Sequence, residues 1–195
     1  VFGNNDTPGV MLSSAAKEYM KVYGVLVGRK PLVFTNNDSG YETAIEFKKN
    51  GIDPIILDTR KEPQSEIIED AKSMNINIKN SYVVVAAKGY KKVKSADIAK
   101  ISDDKEELGL IENIDCDCIC VSGFWTPTIH LASQSGNKTK FNEDIDAFVP
   151  GISKQNEKTL GAANGIYTLE ETLKDSFEKG NLLSKKITNN DNKIS

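Results

Sequence analysis

Strand–helix–strand alternation from Pro31 onward, a lysine-rich hairpin pattern after it, and short apolar runs bounded by turn residues predict an α/β fold. The expected architecture is Rossmann-like: a parallel sheet with helices and an added β-hairpin layer. Short continuous apolar runs such as "PLVFT" and "PIILDT", separated by a helix, suit strands buried on both faces.

The first element expected is a helix within "DTPGVMLSSAAKEYMKVYG". Thr7 can cap it, Pro8 suits its first turn and Gly24 can end it. Met11, Ala15, Tyr19 and Val22 then share one face at helical spacing. "PLVFT" follows as a strand, "SGYETAIEFKKNG" as a helix with Ala44 and Phe47 inward, and "PIILDT" as a second strand. "QSEIIEDAKSMNI" supplies another helix, packed through Ile67, Ile68, Ala71 and Met74. "SYVVVAAKGYKKVKSADIAKI" suits an antiparallel hairpin around Lys88–Gly89, its Lys88, Lys91, Lys92 and Lys94 solvated. "SDDKEELG" reads as a charged loop or short helical turn, and "DCDCICVSGFW" as a further strand. In "TLEETLKDSFEKG", Thr168 and Glu171 have capping-box spacing, with Leu169, Leu173 and Phe177 as the buried stripe. The polar residues after Leu183 suit a linker or tail.

Composition bounds the function. The 195 residues are 38% hydrophobic and 27% charged, with net charge -3, so no basic field favours nucleic acid. No apolar run approaches the roughly 20 residues of a membrane span. The three cysteines lie between 116 and 120, which is no disulfide framework, so a reducing cytoplasm is expected. The start at Val1 suggests processing or a piece of something longer.

The motif that asks the sharpest question is Thr35-Asn36-Asn37-Asp38-Ser39-Gly40, between a strand and a helix where a G-x-G-x-x-G dinucleotide fingerprint would stand. Gly40 keeps the third glycine's packing role. Thr35 and Asn37 replace the first two, and a side chain at Asn37 would occupy the space a pyrophosphate needs. Asp58 stands about 20 residues on, where a ribose-binding acid belongs. The turn is expected to keep the fold and to be filled by side chains. Cys116, Cys118 and Cys120 alternate and are expected on one strand face, without the spacing of a zinc or redox site. His130, the only histidine, has no nucleophile beside it in sequence. "LGAANG" offers a small-residue approach to a helix N-terminus, which suits either an anion or plain turn chemistry.

Four stretches, "GNNDTPGVMLSSAAKEYMKVYGV", "VFTNNDSGYETA", "CDCICVSGFWTPTIHLASQSGNKTKFNEDIDAFVPG" and "LGAANGIYTLEETL", together resemble the alpha subunit of heterotetrameric sarcosine oxidase. They cover most of residues 2–180. The resemblance implies a thioredoxin-reductase-like, Rossmann-like FAD/NAD(P)-binding fold in which one nucleotide-type domain is inserted into another. Residues 1–27 would be a connecting helix from the outer domain and 28–119 the insert. Residues 120–180 would return to the outer NAD-binding domain, and 181–195 would be a polar tail. It implies a complex that oxidises sarcosine to glycine, oxygen yielding hydrogen peroxide and tetrahydrofolate taking the one-carbon unit. NAD would sit in the alpha subunit, against Ala162, Tyr167 and Leu169, and FAD and FMN elsewhere among alpha, beta, gamma and delta subunits. The resemblance places no catalytic residue in this chain. "GAANG" lacks the acid that helps bind FAD in related flavoproteins, which agrees with a different dinucleotide. The alternative is a non-catalytic nucleotide-binding or assembly module of another flavoprotein complex.

Overall fold

The computed structural model describes residues 2–102, 107–123 and 125–191, with side chains as far as residue 185. The chain divides into two compact units between residues 124 and 125.

The N-terminal unit is built on five parallel strands in the order β1-β8-β2-β3-β4. These are β1 (Val10–Leu12), β2 (Pro31–Thr35), β3 (Ile55–Asp58), β4 (Asn77–Asn80) and β8 (Cys118–Ser122). Helices α1 (Ser13–Tyr23), α2 (Ser39–Lys49) and α3 (Glu66–Ser73) connect strands of this sheet. A second, antiparallel sheet holds β5 (Tyr82–Lys88), β6 (Ser95–Ile101) and β7 (Leu108–Asp115). Alternation along the parallel strands assigns side chains to two cores. Val33, Ile56, Cys118 and Cys120 pack with Ala16, Met20, Tyr41, Phe47 and Ile68 of the helices. Leu32, Leu57 and Ile119 pack instead with Val84, Ala96 and Ile98 of the antiparallel sheet. The layers are therefore helices, parallel sheet and antiparallel sheet, the expected α/β class with its added layer.

Several elements differ from their sequence reading. The first helix starts at Ser13, not near Thr7, because Val10–Leu12 pairs in parallel with Ile119–Val121. Strand pairing outweighs the Thr-Pro start signal, so residues 1–27 contribute a strand as well as a helix. The helix then buries Ser13, Ala16 and Met20, while Tyr19 and Val22 are exposed. Gly24 does end it, at φ 62°. The expected hairpin carries a third strand, β7, which takes up Leu108 and Gly109 of the stretch expected as a charged loop or short helical turn; residues 103–106 of that stretch lie outside the described ones.

The C-terminal unit holds a short helix α4 (His130–Gln134), an antiparallel hairpin of β9 (Thr139–Asn142) and β10 (Ala147–Pro150), a 3-10 turn at Gly161–Asn164, and helix α5 (Leu169–Asp191). The helix runs through most of the segment expected as a tail; residues 192–195 lie outside the described ones. Its expected buried stripe is exposed: Leu169 by 75%, Leu173 by 62% and Phe177 by 73%.

Candidate functional site

In an open parallel sheet, ligands gather beyond the strand C-termini where the strand order changes direction. In this sheet that place lies between β2 and β8, at Thr35, the 36–40 turn and Ser122–Gly123. Side chains of the chain itself fill it. Thr35 Oγ1 accepts from the Asn37 backbone N–H at 3.2 Å and donates to the Asn37 carbonyl at 2.7 Å. Asn37 Oδ1 accepts from the Ser39 N–H (3.0 Å), the Ser39 hydroxyl (2.6 Å) and the Ser122 hydroxyl (3.2 Å). Its Nδ2 donates to the Gly123 carbonyl at 2.6 Å and to Asn36 Oδ1 at 3.0 Å. Gly40 keeps its packing role, since a Cβ there would come within 2.6 Å of the Thr35 side chain. The turn is closed by hydrogen bonds that a glycine-rich loop would offer to a phosphate.

The acid at the end of β3 is equally committed. Asp58 is fully buried. It accepts from the Tyr41 hydroxyl at 2.7 Å and from the Arg60 backbone N–H and guanidinium, with Nη2 at 2.8 Å. Arg60 also reaches Asp38, Nη1 to Oδ1 at 2.8 Å. Burial, then the Asp58 hydrogen bond, pushes the Tyr41 phenol well above its ordinary range. Burial pulls the Arg60 guanidinium down, but its bonds to Asp58 and Asp38 outweigh that and hold it protonated. A ribose would have to break this set. The sequence placed Asp58 correctly and missed its partners, although Arg60 two residues later was a signal that the acid had a local cation.

The cysteines correct one expectation. Cys118 and Cys120 share a face, their sulfurs 3.9 Å apart in the helix-side core. Cys116 precedes the strand and turns into the opposite core. Burial pushes its thiol up to about 12. Among the described residues no three His, Cys, Asp or Glu side chains gather as metal ligands. His130 opens α4 and is exposed.

The second candidate is the Gly161–Asn164 turn and the start of α5. Gly161 and Gly165 take left-handed backbone angles, φ 61° and 80°. A Cβ on Gly165 would lie 2.6 Å from Ile145 Cδ1, so the turn needs glycine for space as well as conformation. Thr168 caps the helix, its Oγ1 accepting from the Glu171 N–H at 3.3 Å and donating to the Glu171 carboxylate at 2.6 Å. The expected Thr168–Glu171 pair is therefore present, with the carboxylate on the hydroxyl instead of on the backbone N–H of a full capping box. Tyr167 donates to the Trp125 carbonyl at 2.9 Å and lines a cleft of about 550 Å³ with Ile145, Gly165, Ile166, Thr168 and Glu171. Ala162 is exposed within the 3-10 turn and Leu169 is exposed at the first position of α5. The three residues thus sit along one turn and helix start, with Tyr167 on the cleft. Glu170 and Glu171 place two carboxylates in the first turn of α5, where they oppose an anion drawn by the helix dipole.

No family profile matches the chain. It is 35% identical over 165 residues, 84% of its length, to the sarcosine oxidase subunit alpha of Rhizobium meliloti strain 1021. It is 30% identical over 175 residues, 89% of its length, to that of Corynebacterium sp. strain P-1. The chain spans only 16% and 18% of those relatives. Among solved structures it superposes on Lactococcus lactis thioredoxin reductase with a TM-score of 0.68 and 15% identity, over 94% of this chain and 60% of that one. For T. acidophilum thioredoxin reductase the TM-score is 0.63 at 14% identity, over 95% and 61%. The fold is thus that of the thioredoxin-reductase-like FAD/NAD(P)-binding proteins.

Proposed function

We propose that this chain, related in sequence to the alpha subunit of sarcosine oxidase over most of its length, is part of such a subunit and supplies part of its NAD-binding module rather than its flavin chemistry. The observation that carries the reading is the extent of that relationship, which runs through both compact units. In this reading residues 28–119 are the inserted domain, reached through 1–27, and 120–180 return to the outer domain. Ala162, Tyr167 and Leu169 form one wall of the NAD site. FAD and FMN lie elsewhere in a cytoplasmic complex with beta, gamma and delta subunits. That complex oxidises sarcosine, with tetrahydrofolate and oxygen, to glycine, 5,10-methylenetetrahydrofolate and hydrogen peroxide.

The closed Thr35–Gly40 turn supports assigning the dinucleotide to the second unit. It also favours a second reading, in which the chain is a non-catalytic assembly module whose nucleotide turn has become structural. The two part on NAD. An exposed helix terminus contributes only about 0.3–1 kcal/mol to an anion. Immobilising a ligand costs several kcal/mol. One wall is insufficient, so the isolated chain binds NAD more weakly than about 1 mM by calorimetry. The reconstituted complex holds NAD and releases peroxide with sarcosine, and Ala162→Trp lowers its NAD content. A complex that turns over sarcosine with NAD content indifferent to Ala162→Trp supports the assembly reading. Micromolar binding to the isolated chain overturns the split site and returns attention to Thr35–Gly40 and Asp58.

A further inference from the structure

The hydrogen bonds that close the nucleotide turn end on the backbone at the point where the chain leaves the N-terminal unit. Asn37 Nδ2 donates to the carbonyl of Gly123, one residue before the 124/125 division. The side chain cannot turn away freely, because its Oδ1 is fixed by the Ser39 backbone N–H and by the hydroxyls of Ser39 and Ser122. Those hydroxyls lie 2.7 Å from each other, and the Asn36 N–H donates to the Ser122 carbonyl at 3.3 Å. Gly123 itself offers no other restraint of this kind: a Cβ there would meet nothing within 4 Å, and glycine is the residue with the widest backbone freedom.

We infer that Asn37, oriented by Ser39 and Ser122, is a strap that fixes the direction of the chain at Gly123, where it leaves the parallel sheet. The position that a dinucleotide turn reserves for ligand approach serves in this chain to hold the exit from β8. Asn suits the task because one side chain carries an acceptor for the two serines and a donor for the carbonyl. Asp would keep the acceptor and lose the donor, and Gly would lose both. The inference does not depend on what the second unit binds.

Limited chymotrypsin digestion of the full chain reads the strap directly. Trp125 is 57% exposed and marks cleavage two residues past Gly123, while Tyr90, 93% exposed in the β5–β6 loop, is an internal reference on the same unit as the strap. Asn37→Ala and Asn37→Asp both raise cleavage after Trp125 relative to Tyr90 about fivefold, the change in opening equilibrium expected for one lost hydrogen bond. Ser122→Ala, which leaves the Asn37 amide in place but less firmly oriented, raises the ratio less. An unchanged ratio in both Asn37 variants overturns the strap. So does a rise at both sites together, which reports a loosened unit. Should Asn37→Ala fail to fold, Asn37→Asp and Ser122→Ala decide by the same ratio.

Discussion

The two units spend their apolar residues in opposite ways. In the N-terminal unit the parallel sheet is covered on both faces, and Phe47, Tyr41, Leu32, Ile56 and Ile119 are fully buried. In the C-terminal unit, among the described residues, the buried apolar side chains are few and small: Pro127, Ala132, Val149 and Pro150. Leu131, Ile152, Leu169, Leu173 and Phe177 stand exposed. Amphipathic spacing on α5 therefore marks a face that needs covering, and the chain alone does not cover it. That is the pattern expected of a segment that packs within a longer subunit, and this chain covers only 60% and 61% of the thioredoxin reductases that share its fold.

The largest test of that contrast substitutes one phenylalanine in each unit. Phe47→Ala removes a fully buried ring from the helix-side core and should cost about 3–5 kcal/mol in urea denaturation. Phe177→Ala removes a ring that is mostly in water and should cost less than about 0.5 kcal/mol in the isolated chain. In an assembled subunit that covers α5, the second substitution should become the more disruptive of the two for assembly, read by co-purification. Equal costs in the isolated chain would mean that α5 is already packed in solution.

The next effect is specific to the N-terminal unit. Burial raises the Cys116 thiol, the Cys118 hydrogen bond together with burial raises that of Cys120, and burial with the Asp58 hydrogen bond raises the Tyr41 phenol. A group whose pKa is raised on folding holds its proton more tightly in the folded chain. Its stabilisation is complete below the unfolded value, about 8.5 for a thiol, and is lost as pH rises toward the folded value. Between pH 7 and pH 10 the unit should lose about 1–2 kcal/mol through Cys116 alone. Cys116→Val should flatten the decline measured by urea midpoints. A flat profile in the unsubstituted chain would show that these thiols open to solvent without unfolding.

What could be read from sequence follows the same division. The βαβ elements were legible because their periodicity, glycine stops and strand residues agree with the packing they find: Ala44 and Phe47 do turn inward, and Gly51 does end α2 at φ 76°. The start of α1 was not legible, because Thr7-Pro8 is a good local signal and the strand pairing of Val10–Leu12 with β8 comes from residues more than a hundred positions away. The closed turn was legible from the absence of glycine at Thr35 and Asn37, while its partners Ser122 and Gly123 were not, being fixed only by tertiary pairing. The α5 stripe was read correctly as apolar spacing and wrongly as buried, because a spacing shows that a face exists and not what lies against it.

The smallest effect isolates α5 from the rest. Thr168 satisfies one of the N–H groups that the first turn leaves open, that of Glu171, and its hydroxyl also engages the Glu171 carboxylate. Thr168→Ala should therefore cost about 0.5–1 kcal/mol of helix stability. A helix with a well-packed face would pass that cost to the whole unit, because the face and the cap would unfold together. In α5 the stripe at Leu169, Leu173 and Phe177 is exposed, so the cost should stay local. Hydrogen exchange should accelerate a few-fold at the Glu171 and Thr172 amides while the amides of β2 and β3 keep their protection. Acceleration across both units would show that α5 is coupled to the N-terminal core. No change at Glu171 would show that its N–H finds another acceptor once the threonine hydroxyl is gone.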